Sequence, residues 1–156
     1  NSHNDISSSE YVYSFHKIKN TPAPYFNLEE EFKMQEAVKK IIQAKLAESA
    51  HDCSDGGLFV CLAESSFTRE LGFDIACDKK VRKDAFLFGE AQGRVVISVK
   101  KENEIELVGL LKEQSVEFTK LGFVKGKEVK IDGDVFGAIS EFKEMYDTSI
   151  EKILKD

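Results

Sequence analysis

The chain has 156 residues, of which 42% are hydrophobic and 10% aromatic, enough for one domain with its own core. The formal net charge is −6 at pH 7 without any long basic run, so a nucleic-acid backbone would be repelled and is excluded as an expected partner. No stretch approaches roughly eighteen consecutive apolar residues, and the first residues lack a signal-peptide core, so we expect no membrane span and a cytoplasmic protein. Because the chain does not begin with methionine, we expect a piece of a longer protein.

The first predicted element is a strand over residues 11–16, because the run YVYSFH is aromatic and β-branched. The prolines in residues 21–24 remove backbone donors and predict a stiff linker. A long helix from about residue 28 to 47 follows, with apolar residues at helical spacing. Asn27 and Glu30 at its start have the form of a capping box.

Short strands and helices alternate in the rest of the chain. The predicted strands lie near residues 50–53, 73–75, 94–99, 121–124 and 129–131, with another apolar run at Phe118. The predicted helices run from about 58 to 72, over a buried turn at 84–89, around Leu107 to Leu111, and from Ser140 onward. This irregular order favours an α+β fold with a mixed, mainly antiparallel sheet and packed helices over a doubly wound fold.

The cysteines Cys53, Cys61 and Cys77 are odd in number and show no Cys-x-x-Cys spacing. Their neighbours are apolar or small, as is typical of reduced thiols in a core. A disulfide framework or a zinc site would need paired or regularly spaced cysteines. We therefore predict reduced cysteines and no metal site.

A glycine pair stands between a predicted strand and a predicted helix. Unpaired N–H groups at the start of a helix bind phosphate, and glycine leaves room for the ligand. The candidate phosphate-binding residues are Ser54, Asp55, Gly56 and Gly57. In the alternative interpretation, Ser54 or Asp55 caps the helix itself, for about 0.5 to 2 kcal/mol. A phosphate here would be repelled by Asp52 and Asp55 unless Mg²⁺ or basic groups from elsewhere compensated.

His51 and Asp52 are cleft candidates beside this turn. Adjacent side chains on a strand point to opposite faces, so the pair does not form a catalytic dyad. We therefore interpret His51 as a hydrogen-bonding residue. The GxGxxG and GxxxxGK[ST] patterns are absent from the sequence, which excludes Rossmann and P-loop interpretations.

Glu90, Gln92 and Arg94 are further cleft candidates, because side chains at the entrance of a strand often reach a binding site. The alternative is a polar turn in which Gly93 forms a bulge and Arg94 makes a surface ion pair.

Three segments, in this order, resemble phosphoribosylformylglycinamidine synthase, also called formylglycinamide ribonucleotide amidotransferase. They are Ser8-Ser9-Glu10-Tyr11, Ala50-His51-Asp52-Cys53-Ser54-Asp55-Gly56-Gly57-Leu58 with Leu62-Ala63-Glu64, and Glu90-Ala91-Gln92-Gly93-Arg94-Val95. The resemblance is to the family's C-terminal module, the domain type shared with aminoimidazole ribonucleotide synthetase, in the second of its two copies. In the first copy the third segment reads Glu-Ser-Gln-Glu-Arg and belongs to the substrate site. Ala91 and Gly93 depart from that pattern, which weighs against direct contact with substrate.

The resemblance implies an ATP-dependent C–N ligase of purine biosynthesis. Such an enzyme uses ATP and Mg²⁺ to activate formylglycinamide ribonucleotide, and ammonia from glutamine then displaces phosphate. The implied partners are the ATP-binding-type domains of the same synthetase, a glutaminase domain or subunit, and the ribonucleotide substrate. Residues 1–24 would be a strand and linker from the preceding domain, and residues 25–156 the synthetase-type C-terminal domain. No catalytic residue and no tightly bound cofactor are expected in this chain, which would be inactive alone.

Two other interpretations stay open. One is a stand-alone module that binds anions or docks a partner domain. The other is a sister enzyme with the same module, such as selenophosphate synthetase or thiamine-phosphate kinase, although the residues after Asp55 differ.

Overall fold

The computed structural model describes residues 4–155, and this part of the chain folds into helices and two β-sheets. The helices are α1 (Leu28–Gln43), α2 (Gly57–Phe67), α3 (Lys83–Phe88), α4 (Glu104–Glu113), α5 (Ile139–Asp147) and α6 (Ser149–Lys155). The strands are β1 (Ala47–Asp52), β2 (Phe73–Ile75), β3 (Val95–Val99), β4 (Gly122–Val124), β5 (Glu128–Ile131) and β6 (Asp134–Ala138). A π-helical turn, Tyr11–Phe15, precedes them, and a 3₁₀ turn, Lys101–Asn103, leads into α4.

The strands form a two-stranded sheet and a four-stranded sheet. In the first, β1 pairs with β3 antiparallel, with His51 opposite Val96. The second has the order β4-β2-β5-β6, in which β2 and β5 are parallel and the other two pairs are antiparallel. The predicted α+β class with mixed, mainly antiparallel pairing is confirmed, but the strands are divided between two sheets.

Two apolar clusters hold these elements together. The first lies under the four-stranded sheet and comprises Leu58, Phe73, Ile75, Phe86, Leu87, Val129, Ile131 and Ile139. The second lies between α1 and α4 and comprises Ala37, Ile41, Leu46, Leu107 and Leu111. Strand β3 contributes to both, because Val96 packs against the first cluster and Ile97 against the second. The β1–β3 pair therefore joins the two halves of the core.

The long helix begins as predicted and ends earlier. The Asn27 side chain accepts hydrogen bonds from the amides of Glu29 and Glu30, at 2.9 and 3.2 Å, which confirms it as the N-cap. The helix ends at Gln43 rather than near residue 47, because Lys45 adopts a left-handed conformation with φ of 58°. This turn returns Leu46 to the core, where it is 4% exposed, and the chain continues directly into β1.

The predicted strand over residues 11–16 is wrong. The segment is the π-helical turn, in which the His16 amide donates to the Tyr11 carbonyl at 3.4 Å. The Tyr11 ring stacks on Phe88 with ring centroids 4.8 Å apart. Tyr11 therefore packs on α3 and Phe15 stacks on Tyr11, and this tertiary stacking outweighs the local β-preference of the segment.

Other differences concern the ends and number of the elements. Strand β1 begins at Ala47 and most of its residues are exposed, whereas a short buried strand was predicted over residues 50–53. Helix α2 ends at Phe67, before Gly72, where its end was predicted. Phe118, predicted as part of a strand, lies outside the strands. The last predicted helix is two helices, α5 and α6, with Thr148 between them. Strand β6 was not predicted, although Asp132 and Gly133 form the left-handed turn that joins it to β5 and Asp-Gly is a hairpin signal.

Candidate functional site

The glycine turn between β1 and α2 is closed by the protein's own groups. Gly56 is the N-cap of α2, and no side chain caps the helix locally. The Gly56 amide donates to the Glu90 carboxylate at 2.8 Å, and the Gly57 amide donates to the Ser54 carbonyl at 2.9 Å. The predicted capping by a Ser54 or Asp55 side chain is therefore wrong, and the Glu90 carboxylate, from a distant loop, binds the amide of the N-cap residue instead.

Gly57 faces the backbone of the helix α3 terminus. A Cβ atom at this position would lie 2.8 Å from the Gly89 carbonyl oxygen and 2.9 Å from that of Leu87, and the residue has φ of 66°. Real Cβ atoms do not approach backbone oxygens so closely, and the left-handed conformation favours glycine. Here glycine is required so that the start of α2 can pack against the end of α3, which is protein backbone and not a ligand.

Glu90 also binds the N-terminal segment. Its Oε1 atom accepts from the Glu10 amide at 2.9 Å as well as from the Gly56 amide. The side chain thus places a negative charge at the positive end of α2 and fastens residue 10 to the same point. Ser9, the residue before Glu10, is 1% exposed, so the N-terminal segment is packed against the domain here. Sequence analysis did not assign this role to Glu10, which acts through its backbone and leaves no side-chain signal.

Arg94 binds the C-terminal end of the neighbouring helix, α3. Its guanidinium donates to the carbonyl oxygens of Phe86 and Gly89, both at 2.6 Å. These carbonyls end α3, where a cation is favourable. Burial lowers the pKa of Arg94 below its ordinary value, an effect that Cys53 and Cys61 partly oppose. The expected surface ion pair is therefore wrong, because this guanidinium is directed into the fold.

Of the remaining candidates, His51 contacts helix α2. The His51 Nδ1 atom lies 2.9 Å from the Ser65 hydroxyl, and its Nε2 atom lies 3.6 Å from the Glu64 carboxylate, so His51 ties β1 to α2 as a hydrogen-bonding residue. Asp52, Ser54 and Asp55 are exposed at the turn. The structure thus brings together Gly56, Gly57, Glu90 and Arg94.

Gln92 and Gly93 belong to the same loop as Glu90 and Arg94. Both are exposed, whereas Ala91 between them and Glu90 is 2% exposed. They line a groove of about 500 Å³ together with Ala91 and Arg94 of the same loop, residues 25–27 at the start of α1 and residues 115–117 after α4. Gly93 has φ of 79° and lies in a bend before β3, whereas the irregularity in the β1–β3 pairing is at residues 47–49 and not at the predicted Gly93 bulge. Glu90 and Arg94 therefore bind backbone groups of the helix ends, whereas the side chain of Gln92 is exposed at the groove.

Residues 4–155 contain no group of three or more His, Cys, Asp or Glu side chains that could hold a metal ion. The three cysteines are free thiols: Cys61 is buried, and Cys53 and Cys77 are half-buried. Among the helices of this same part of the chain, none has the length and apolar character needed to span a bilayer.

Comparison with known proteins identifies the family to which this chain belongs. The family model described as AIR synthase related protein, C-terminal domain, matches residues 8–133. The phosphoribosylformylglycinamidine synthase subunit PurL of Anaeromyxobacter dehalogenans (strain 2CP-C) is 34% identical over 97% of this chain and 21% of its own length. The subunit of the same name from Salinibacter ruber is 42% identical over 74% of this chain and 16% of its own length. The chain therefore spans about a fifth of the relatives that it matches.

Solved structures show the same fold at low sequence identity. The structure of T. maritima PurL complexed with FGAR superimposes with a TM-score of 0.67 and 14% identity, over 83% of this chain and 24% of that one. The thiamine-monophosphate kinase from Stenotrophomonas maltophilia K279a superimposes with a TM-score of 0.52 and 15% identity, over 79% and 45% of the two chains. Since the family model covers most of the chain, the chain belongs to the family of AIR synthase related proteins and forms their C-terminal domain.

Proposed function

We propose that this chain is the second C-terminal, aminoimidazole ribonucleotide synthetase-type domain of a phosphoribosylformylglycinamidine synthase. The intact enzyme would be an ATP-dependent C–N ligase that makes formylglycinamidine ribonucleotide in the cytoplasm. The observation that carries this proposal is the 34% identity to a PurL subunit over 97% of the chain. Ala91 and Gly93, which replace the serine and glutamate of the substrate-contacting copy, support its assignment to the second copy.

Within that enzyme, the domain would act as a rigid scaffold beside its ATP-binding-type neighbour. The Gly56 amide is already bound by Glu90, and Gly57 packs against residues 87–89. A phosphate that used the Gly56 amide would have to displace the Glu90 carboxylate and would meet the negative charges of Asp52 and Asp55. These contacts support a structural role for the glycine turn. Phosphate binding at Ser54, Asp55, Gly56 and Gly57 stays a prediction.

ATP, Mg²⁺ and the ribonucleotide would be bound mainly by the other domains. T. maritima PurL has been solved as complexes with ATP and with FGAR, and we extend those ligands to the intact parent of this chain. The described residues offer no carboxylate cluster for a metal, so they do not fit a Mg²⁺ site of their own. A glutaminase domain or subunit would supply ammonia. Gln92, at the exposed tip of its loop, is the candidate for contact across the domain boundary.

Domain replacement tests the proposal. The segment of Anaeromyxobacter dehalogenans PurL that aligns with this chain is exchanged for it, and the chimera is assayed for ATP hydrolysis that depends on formylglycinamide ribonucleotide and ammonia. We expect retained activity in this chimera, and lost activity when the inserted chain carries Gly57→Ala. The isolated chain should not turn over ATP. ATP turnover by the isolated chain, or a folded but inactive chimera, would contradict the proposal.

A stand-alone anion-binding module is distinguished by titration. Ribose 5-phosphate is added to the isolated chain, and amide chemical shifts of Gly56 and Gly57 are followed. Because Glu90 and Ser54 already accept from these amides, we expect no binding or millimolar binding. Micromolar binding with shifts centred on these two amides would favour the stand-alone module.

A further inference from the structure

Residues 5–16, which we call the N-terminal strap, pack against the end of α3. Within the strap, Ser9 is 1% exposed and Val12 is 5% exposed, and the Tyr11 ring stacks on Phe88 with ring centroids 4.8 Å apart. A segment of this length cannot bury side chains by itself, so the rest of the domain covers them. Residues 17–20, the linker that joins the strap to the rest of the chain, are all exposed.

The end of α3 receives the backbone of the strap. The Glu10 amide donates to the Glu90 Oε1 atom at 2.9 Å. A Cβ atom on Gly89 would lie 2.8 Å from the Asp5 carbonyl oxygen, so a side chain at this position would prevent the approach of the two backbones. Phe88, Gly89 and Glu90 thus offer an aromatic ring, an open backbone and a carboxylate in consecutive positions. This surface suits a peptide segment.

Residues that follow the linker hold the strap at a second edge. The Asp5 carboxylate accepts from the Tyr25 amide at 2.9 Å, and the Ser8 amide donates to the Thr21 hydroxyl at 2.7 Å. The strap therefore contacts both the end of α3 and the segment that leads into α1. All of these contacts are non-covalent and lie outside residues 17–20, so they do not require an intact linker.

The linker is exposed and strained. Lys17 and Asn20 have φ of 58° and 60°, a left-handed conformation that is unfavourable for residues with a side chain. The Ile18 side chain between them is 52% exposed. Because the linker adds strain and buries little, the strap is held by its own contacts and should open and close as one unit.

We propose that the end of α3 is a peptide-binding surface, which the N-terminal strap occupies and continues to occupy after the linker is cut. The peptide that fits has a backbone amide for the Glu90 carboxylate, then an aromatic ring for Phe88, then a buried β-branched side chain. Glu10, Tyr11 and Val12 supply these groups in this order. The folded domain then includes residues 5–16, which the sequence assigned to a preceding domain. This inference concerns the chain itself and does not depend on the enzyme proposed above.

Cutting the linker tests the proposal. A factor Xa site is inserted after Lys19, where an exposed linker tolerates added residues, and the folded chain is cleaved there. We expect the two fragments to elute together in size-exclusion chromatography without denaturant and to separate in urea. Elution of the larger fragment without the strap under native conditions would overturn the proposal.

Matched peptides test which side chains the surface recognises. The larger fragment is separated in urea and refolded, and a fluorescent peptide of residues 5–16 is titrated into it while anisotropy is followed. Tyr11→Ala should weaken binding about tenfold or more, because the ring that stacks on Phe88 is lost. Tyr13→Ala should leave the affinity unchanged, because the Tyr13 side chain is 51% exposed. Equal affinities of the Tyr11→Ala and parent peptides would contradict the proposal.

Hydrogen exchange of the intact chain decides the matter if the larger fragment does not refold. The Glu10 amide donates to Glu90 and the Tyr13 amide donates to the Ser9 carbonyl. These two amides should exchange at similar rates, because the strap opens as one unit, and more slowly than the amide of Lys19 in the linker. Exchange of the Glu10 amide as fast as that of Lys19 would show that the strap is not bound, and the proposal would fail.

Discussion

Glu90 and Arg94, four positions apart in one loop, reach the ends of two different helices. The Glu90 carboxylate lies at the N-terminus of α2 and the Arg94 guanidinium at the C-terminus of α3. Each charge has the sign that the helix end favours. Gly57 allows these two helix ends to touch. The loop over residues 90–94 therefore joins these two helix ends, and we call it the internal clamp.

Glu90→Ala should lower the free energy of unfolding by about 2 kcal/mol. The change removes a charged acceptor shared by the Gly56 and Glu10 amides, and hydrogen bonds to charged groups contribute about 1.5 to 3 kcal/mol. Glu90→Gln keeps an acceptor oxygen without the charge and should lose about 1 kcal/mol. Urea-induced unfolding at equilibrium measures both.

The matched control for Glu90 is Glu106→Ala on the exposed side of α4. This residue should change stability by no more than about 0.5 kcal/mol, as is usual for exposed positions. Equal effects of the Glu90 and Glu106 substitutions would contradict the clamp.

Gly57→Ala should destabilise the chain by at least about 2 kcal/mol. The new Cβ would lie 2.8 Å from the Gly89 carbonyl oxygen, in a residue with φ of 66°. Left-handed backbone alone costs a residue with a side chain about 1 to 2 kcal/mol. Thermal unfolding followed by circular dichroism gives the change in Tm.

Gly109→Ala is the control for that substitution, because Gly109 lies within α4 and a Cβ there would meet nothing within 4 Å. Replacing glycine by alanine inside a helix stabilises it by roughly 0.5 to 1 kcal/mol. Opposite signs at the two glycines are the expected result. A neutral Gly57→Ala would show that α2 and α3 need no such close approach.

Arg94→Met should lower the free energy of unfolding by about 2 to 4 kcal/mol, because the carbonyls of Phe86 and Gly89 lose a partly buried, charged donor. Arg94→Lys should recover part of this loss, since one ammonium cannot reproduce the fork of two N–H groups. Arg69→Met, at an exposed position, serves as the control. Guanidinium unfolding curves compare the three, and a lysine variant as stable as the parent would contradict the paired contact.

Asp132→Asn should make the stability of the fold less dependent on pH in the acidic range. The Lys83 ammonium, 2.8 Å away, and the Cys77 amide hold the pKa of Asp132 below its ordinary value of 3.8. A carboxyl whose folded pKa is depressed contributes stability above its unfolded value, and this is lost as pH falls through the folded pKa. The Tm difference between parent and variant should thus be constant from pH 7 to about 5 and shrink below about 4.

Asparagine suits this test because Asp132 has φ of 55° in the hairpin turn, a conformation that asparagine accepts. The double variant with Lys83→Met isolates the ion pair. If Asp132→Asn changed the pH dependence of Tm equally with and without Lys83, the ion pair would not be the main cause of that dependence.

Much of the backbone was predictable where the signal is local. Asn27 caps α1 as its position indicated, and the strands at Phe73–Ile75 and Val95–Val99 lie where their β-branched and aromatic residues placed them. Strand β6 was missed although Asp132 and Gly133 carried its turn signal. The π-helical turn could not be foreseen, because it depends on stacking between Tyr11 and Phe88, far apart in sequence.

The sequence by itself determined the fold class, the family resemblance and the position of the glycine turn, because hydrophobic spacing, turn residues and short motifs act over a few neighbouring positions. The tertiary structure decided what that turn does. The partner of the Gly56 amide is Glu90, 34 positions away, and the surface facing Gly57 is the end of another helix. A backbone N–H group donates to whichever acceptor the folded chain brings within about 3 Å, and packing of the chain, not neighbours in sequence, determines which acceptor that is.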